Sequence, residues 1–94
     1  MMRIFEVHLK YWPFNDRYWG YVVYPFIFYR EGKYSDTLRR HEWTHIRQIQ
    51  RDGWFKYHYV YAMEYMKKGY YNVSYEIEAY AMQEDPSYQP WLEK

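Results

Sequence analysis

The first third of the chain alternates between apolar and polar positions. From Phe5 to Leu9 the odd positions are apolar and the even ones polar, which predicts a half-buried β-strand over residues 3–9. A second run, residues 21–29, is apolar on both faces and rich in β-forming residues. Because Pro25 in this run cannot donate a ladder hydrogen bond, we expect an edge strand or a strand that bulges there.

The pattern becomes helical in the rest of the chain. Helices are predicted over residues 36–51, 54–68 and 75–84, and residues 85–94 form a tail without periodicity. Strands followed by helices indicate an α+β domain, in which a short antiparallel β-hairpin or small sheet with an edge strand precedes three helices. The length, 94 residues, predicts a single domain spanning 1–94.

Short polar residues and glycines mark the predicted helix ends. Ser35 or Asp36 can cap the first helix, and Ser74 can cap the third. Gly53 and Gly69 follow the first and second helices, as is typical of helix C-termini.

The second helix carries one continuous apolar stripe, which predicts the face that it turns to the core. The stripe consists of Phe55, His58, Tyr59, Ala62, Met63 and Met66. Because His58 falls within it, we expect a hydrogen-bonded core histidine rather than a metal ligand, with a contact to a ligand side chain as the alternative.

Composition narrows the choice of function. The chain has no cysteine, so disulfides and thiolate metal sites are excluded, and a bound metal would be a natural stabiliser of so small a domain. A net charge of +1 argues against a nucleic-acid partner. The 15 tyrosines are spread along the whole chain, which favours tyrosines in the core and on the surface over a stacking platform for sugars or single strands.

Neither a secretory signal nor an apolar segment of membrane-spanning length is visible. We therefore expect a chain with no membrane partner, most simply in the cytoplasm.

Candidate metal-binding and catalytic residues lie in the first predicted helix, in the sequence His41-Glu42-Trp43-Thr44-His45. Histidines four positions apart project from one face of a helix, so both imidazoles can bind one Zn²⁺. Glu42 lies about 100° around the helix, from where its carboxylate can act as general base on an activated water. The opposing interpretation is a helix whose histidines are ordinary surface residues.

A third metal ligand is sought among four downstream acids. Glu64 lies on the side of the second helix away from its apolar stripe, and Glu84 lies at the fraying end of the third helix, so both are less suitable. Glu76 is favoured because the small Ala79 lies one turn further along the same face and allows close helix approach. Glu78 is nearly as well placed and remains the alternative.

Further catalytic roles are harder to assign. Attack by an activated water is helped by a donor that stabilises the developing oxyanion, and Tyr80, one turn beyond Glu76, is our candidate. Gln48, one turn after His45, can orient a metal ligand or lie exposed.

His41 to His45, followed by a Glu-x-x-Ala helix, resembles the gluzincin group of zinc metallopeptidases. In integral-membrane and stress-response gluzincins the residue after that Ala is usually Asp, whereas this chain has Tyr80 there. The chain is also similar to small bacterial and phage proteins, mostly uncharacterised, that share four motifs in the same order. These motifs correspond to Gly20 to Ile27, His41 to Gln48, Phe55 to Tyr65 and Glu76 to Tyr80.

The resemblance implies a minimal zincin-like domain with metal ligands His41, His45 and Glu76, and with Glu42 as general base. It implies a zinc-dependent peptidase acting on a peptide or protein, with the strand before the motif lining the cleft. Some gluzincins of this size are latent because their C-terminal segment fills the cleft, so the tail, with Trp91 and Glu93, is a candidate cover. The alternative is a non-catalytic protein, for example a phage component, that binds zinc for stability or interaction.

Overall fold

A small mixed β-sheet opens the fold in the computed structural model, which describes residues 3–92. Its strands are β1 (Phe5–Leu9), β2 (Gly20–Val23) and β3 (Phe26–Arg30). β3 lies in the centre, parallel to β1 and antiparallel to β2. The α+β class and the small sheet are therefore confirmed, while the sheet is mixed rather than a simple antiparallel hairpin.

The expectation of one strand over residues 21–29 is wrong. The run is divided at Tyr24 and Pro25, which are joined by a cis peptide bond, and the chain turns there from β2 into β3. Pro25 thus lies in the turn, where no ladder hydrogen bond is required of it. Only the first half of the run, β2, is an edge strand.

The face of β1 that contains Glu6, rather than the apolar face of Phe5, Val7 and Leu9, lies towards the helices, which is the reverse of the prediction. Glu6 pairs in register with the fully buried Ile27, and it accepts a hydrogen bond of 2.7 Å from the hydroxyl of Tyr29. Arg39 completes the arrangement with two hydrogen bonds to the Glu6 carboxylate, at 2.7 and 2.8 Å. Burial alone would raise the pKa of Glu6, but these partners outweigh it and lower the pKa, so the carboxylate stays charged inside the fold.

Three helices follow the sheet, α1 (Asp36–Asp52), α2 (Trp54–Lys68) and α3 (Ser74–Gln83), of which α1 packs on the sheet and on both other helices. These bounds agree with the predicted helices to within one residue. Short 3₁₀ turns occupy Tyr70–Asn72 and Pro90–Leu92. Among the described residues, no helix is long and apolar enough to cross a membrane.

The predicted caps of α1 are present, but that of α3 is not. Ser35 accepts a hydrogen bond from the backbone N–H of Leu38, and Gly53 ends α1 with a φ of 91° that other residues rarely adopt. Ser74 is instead the first residue of α3, and its N–H and hydroxyl both donate to the Glu64 carboxylate. Glu64, one of the candidate metal ligands, is thus committed to the start of α3.

α1 holds the core together by contributing to two buried clusters. The first joins the sheet to α1 and consists of Ile27, Tyr29, Trp43 and Ile46. The second joins α1 to the other helices and consists of Ile49, Tyr57, Val73 and Tyr75. Because every turn of α1 between residues 41 and 49 is buried, the helix that carries both candidate histidines is fixed from several sides.

The apolar stripe predicted to be the core face of α2 is exposed. Phe55 is 83% exposed, Tyr59 and Met66 are also exposed, and the buried face of the helix contains Tyr57 (6% exposed) and the half-buried Tyr61. Both faces of α2 are rich in aromatic residues, so periodicity alone could not choose between them. The expectation that His58 is a core histidine is wrong for the same reason, since its side chain is exposed and lies against Trp54.

This arrangement predicts opposite responses to alanine at neighbouring positions of α2. Phe55→Ala should change the free energy of unfolding by no more than about 0.5 kcal/mol, because little contact is lost. Tyr57→Ala should cost roughly 3–5 kcal/mol, the range for a buried aromatic side chain. Urea unfolding in the presence of a chelator measures both changes in the free energy of unfolding. A larger loss of stability in Phe55→Ala than in Tyr57→Ala would show that the stripe predicted from periodicity is the core face after all.

Candidate metal centre

Three buried side chains from two helices converge on one point. The Nε2 atoms of His41 and His45, on α1, lie 3.0 and 3.1 Å from the same oxygen, Oε1 of Glu76 on α3. Their potential ligand atoms all lie within 4.8 Å of one another, so the group could hold a metal ion. The structure therefore brings together the three residues that the sequence favoured.

The geometry follows from the local sequence of the two helices. The four-residue spacing places the imidazoles of His41 and His45 edge-to-face on one side of α1, with ring centroids 5.0 Å apart. On α3, Ala79 is fully buried one turn after Glu76, and its small side chain leaves room for α1 to approach. This is the close helix contact for which Ala79 was singled out.

The charges of the three groups depend on one another. Burial alone would lower the pKa of His45, but the hydrogen bond to Glu76 and its charge raise that pKa to about 9. Burial alone would raise the pKa of Glu76, but the hydrogen bonds from His41 and His45 lower it well below its ordinary value. A buried carboxylate between two imidazoles thus requires a cation, which is a proton on a ring nitrogen or a metal ion.

Outer hydrogen bonds hold each of the three candidate ligands. Amide oxygens of Gln83 and Gln48 lie 2.7 and 2.9 Å from the Nδ1 atoms of His41 and His45, respectively. The Tyr61 hydroxyl donates to the second oxygen of Glu76 at 2.6 Å. Of these supporting residues only Gln48 was considered from the sequence, because the contacts of Gln83 and Tyr61 depend on how the helices cross.

Glu42 is buried beside the histidines and under the first residue of β2. Burial is the main cause that raises its pKa, which the charges of His41 and His45 counteract in part. A Cβ atom added to Gly20 would lie 2.8 Å from Oε2 of Glu42, closer than side-chain atoms tolerate. Because residue 20 has no side chain, the edge strand passes over the carboxylate without displacing it.

An open cleft of about 700 Å³ gives access to these groups. One wall is the segment from Arg17 to Val22, which includes β2, and the opposite wall comes from the inner face of α2. Tyrosine side chains dominate the lining, and they are Tyr18, Tyr21, Tyr57, Tyr61, Tyr65, Tyr70 and Tyr80.

Tyr80 borders the cleft next to the histidines. Its ring packs edge-on against His41, with centroids 4.6 Å apart, and its hydroxyl lies 3.3 Å from that of Tyr70. Burial is the main cause that raises its pKa, with a further contribution from the charge of Glu76. The hydroxyl therefore keeps its proton at neutral pH and can donate it in a hydrogen bond.

Glu78 and Glu84, the other acids considered as third ligand, contact neighbouring side chains instead. Glu78 accepts from Gln48 at 2.7 Å and from Arg51 at 3.3 Å, and Glu84 accepts from Gln83 at 3.1 Å. Neither belongs to the cluster of potential metal ligands.

The tail does not cover the cleft within the described residues. Pro90 is buried. The guanidinium of Arg39 lies over the ring of Trp91, with its central carbon 4.1 Å from the ring centroid. No residue from 85 to 92 lines the cleft. Glu93, the other candidate cover, lies outside the described residues.

Comparison of the chain with protein families, curated proteins and solved structures finds no match. What the site does must therefore be inferred from its own side chains.

Because the Glu76 carboxylate keeps His45 protonated in the metal-free protein, we predict that metal binding releases protons. At pH 7 the metal-free protein holds a proton on His45, whose pKa is about 9, and a metal ligand must give up that proton. We expect about one proton released per ion, and a metal affinity that rises with pH until about pH 9. Calorimetric titration with zinc in buffers of different ionisation enthalpy measures the released protons.

The same pKa shift sets the pH dependence of the metal-free fold. Because its pKa is raised from 6.5, His45 stabilises the fold fully below pH 6.5, and this contribution is lost as the pH rises towards 9. Glu76→Ala serves as the control, since it removes both the candidate carboxylate ligand and the partner of the imidazolium. Unchanged zinc binding in that variant would show that Glu76 is not a ligand.

Proposed function

We propose that the protein is a zinc-dependent metallopeptidase of the gluzincin type. The observation that carries the proposal is the buried group of His41, His45 and Glu76, with Glu42 beside it at an open cleft. Two imidazole nitrogens and one carboxylate oxygen are the protein ligands of zinc in well-known peptidases, which keep one further position open. The set contains no thiolate, so it lacks the usual mark of a purely structural zinc site.

Zinc held by these residues would lower the pKa of a water molecule and polarise a peptide carbonyl. Glu42 then acts as general base, because it accepts a proton from the water as the new carbon–oxygen bond forms. The same carboxyl group returns that proton to the departing amine when the carbon–nitrogen bond breaks. The raised pKa of Glu42 suits both steps, since a stronger base also becomes a useful acid near neutral pH.

The edge strand β2 supplies the surface for an extended peptide. β2 pairs with β3 on one side only, and no other described strand pairs with its second edge. Residues 20–22 of this strand line the cleft that contains the histidines. A peptide can therefore add to β2 as a further strand, bound by main-chain hydrogen bonds that do not depend on its sequence.

Tyr80 is the donor that we propose for the developing oxyanion. Its ring lies against His41, and its hydroxyl remains protonated at neutral pH. Tyr57 and Tyr61 are less suitable, because their hydroxyls already contact His45 and Glu76, at 3.1 and 2.6 Å.

One observation favours a second function, a non-catalytic protein that binds zinc for stability or interaction. Both candidate histidines are held at Nδ1 by neutral glutamine amides, whereas a carboxylate in that place would make the imidazole a stronger ligand. Tyr80 also stands where an Asp is usual in the proteins that the motif resembles. A stabilising ion does not require a general base, so the role of Glu42 separates the two functions.

The decisive variant is Glu42→Gln, which keeps the size of the side chain and removes the base. We expect peptide hydrolysis to fall by a factor of about 10²–10⁴, the usual contribution of a general base. Zinc content should stay unchanged, because Glu42 is not in the ligand group. The assay is cleavage of casein and of a peptide library, with chelator and zinc re-addition as controls, and equal hydrolysis by both proteins would refute the proposed mechanism.

Gly20→Ala provides an independent test of where Glu42 must lie. The three atoms nearest to the added methyl group all belong to the Glu42 side chain, so the carboxylate has to move. We expect normal zinc content and a thermal midpoint close to that of the wild type, but a loss in kcat of at least about tenfold through misplacement of the base. Full activity in this variant would show that the position of the carboxylate beneath β2 is not required.

A further inference from the structure

Gln48 and Glu78 have no part in the chemistry proposed above, although both belong to the motifs that the chain shares with small bacterial and phage proteins. They lie on different helices, and Nε2 of Gln48 donates to Oε1 of Glu78 at 2.7 Å. Gln48 is only 1% exposed. We propose that Glu78 is a positioning residue, which fixes the amide of Gln48 so that His45 presents its Nε2 atom to the metal. This inference rests on the metal centre of the proposed function.

The first step is that the Gln48 amide can adopt only one orientation. Its Nε2 has two hydrogens, which go to the carbonyl oxygen of Tyr75 at 2.9 Å and to Oε1 of Glu78. Neither acceptor can donate a hydrogen bond when Glu78 is ionised. A reversed amide would place Oε1 against both of them, and its N–H groups would then face His45.

The second step is that this orientation selects the tautomer of His45. Oε1 of Gln48 lies 2.9 Å from Nδ1 of His45, and an amide oxygen can only accept, so Nδ1 must carry a proton. A neutral His45 then has its lone pair on Nε2, the atom that faces Glu76. The Tyr57 hydroxyl, also 3.1 Å from Nδ1, does not select a tautomer because it can either donate or accept.

Glu78 is itself held from the protein surface. Both of its carboxylate oxygens lie 3.3 Å from Nη1 of Arg51, in a largely exposed ion pair. A chain of contacts therefore runs from Arg51 through Glu78 and Gln48 to His45. The buried part of this chain, between Gln48 and His45, excludes the water that could otherwise satisfy the ring nitrogen.

The structure also contains a matched control at the other histidine. Gln83 faces Nδ1 of His41 at 2.7 Å, and its Nε2 donates to Glu84 at 3.1 Å. This second glutamine–glutamate contact is exposed, so water can replace the Glu84 carboxylate at little cost. Truncation of Glu84 removes a comparable carboxylate without releasing a buried amide.

The experiment compares zinc affinities, measured by competition with a chromophoric chelator, in four proteins. Glu78→Ala should bind zinc about tenfold more weakly than the wild type, the lower end of the effect for residues that support a ligand. Glu78→Gln retains an oxygen that accepts from Gln48 and should stay within about twofold, as should Glu84→Ala. The thermal midpoint of each metal-free protein shows whether a variant merely weakens the fold.

A second measurement reads the tautomer directly. ¹⁵N NMR of the zinc-loaded wild type should show a slowly exchanging proton on Nδ1 of His45, and this signal should broaden in Glu78→Ala. A proton on Nε2, equal zinc affinity in Glu78→Ala and the wild type, or equal losses in Glu78→Ala and Glu84→Ala would overturn the proposal. A wild type that binds no zinc would instead refute the metal centre, and the proposed function with it.

Discussion

The fold depends on the placement of one buried carboxylate between two imidazoles. Glu76 can be buried only if positive charge accompanies it, and His41 and His45 can share its oxygen only if α1 and α3 cross where they do. A chain of this size without disulfides has few other means of holding two helices at a fixed distance. The candidate metal centre is therefore also a determinant of how α1 and α3 pack, so the cation that occupies it affects that packing.

Tyrosine side chains meet two requirements of this compact site at once. Each candidate ligand needs an outer hydrogen bond, while the space around it has to be filled with apolar surface. Tyr57 and Tyr61 do both, because their rings pack inside the domain and their hydroxyls reach His45 and Glu76. Tyr29 does the same for the Glu6 carboxylate beneath the sheet. These three tyrosines are thus explained by polar groups that require both an apolar ring and a hydrogen bond.

Local rules predicted those parts of the structure that local interactions determine. The spacing of His41 and His45, the cap at Ser35 and the end of α1 at Gly53 all follow from neighbours within one turn. Glu76 could be favoured over Glu78 because Ala79 indicated a close helix contact. The mechanistic roles of Glu42 and Tyr80 stay predictions, since they depend on chemistry that geometry alone does not measure.

The remaining features could not be predicted because distant partners determine them. Glu6 faces the helices because Arg39, 33 residues away in the sequence, neutralises its charge there. A prediction from the alternation of apolar and polar residues places a charged side chain on the exposed face. α2 has aromatic residues on both faces, so its orientation follows from which tyrosine hydroxyl finds a partner among the helices. Gln83 carried no sequence signal, and Glu78 was considered only as a third ligand, because the contacts of both form only when α3 lies against α1.

The exposed side of α2 also affects how the protein behaves in concentrated solution. Phe55, Tyr59 and Met66 keep their apolar surface in contact with water, and two copies that met along this helix would release that water. Sulfate and similar salts strengthen such contacts, so the solubility of the chain should fall early as salting-out agents are added. None of these three side chains lines the cleft, although His58 on the same stripe does.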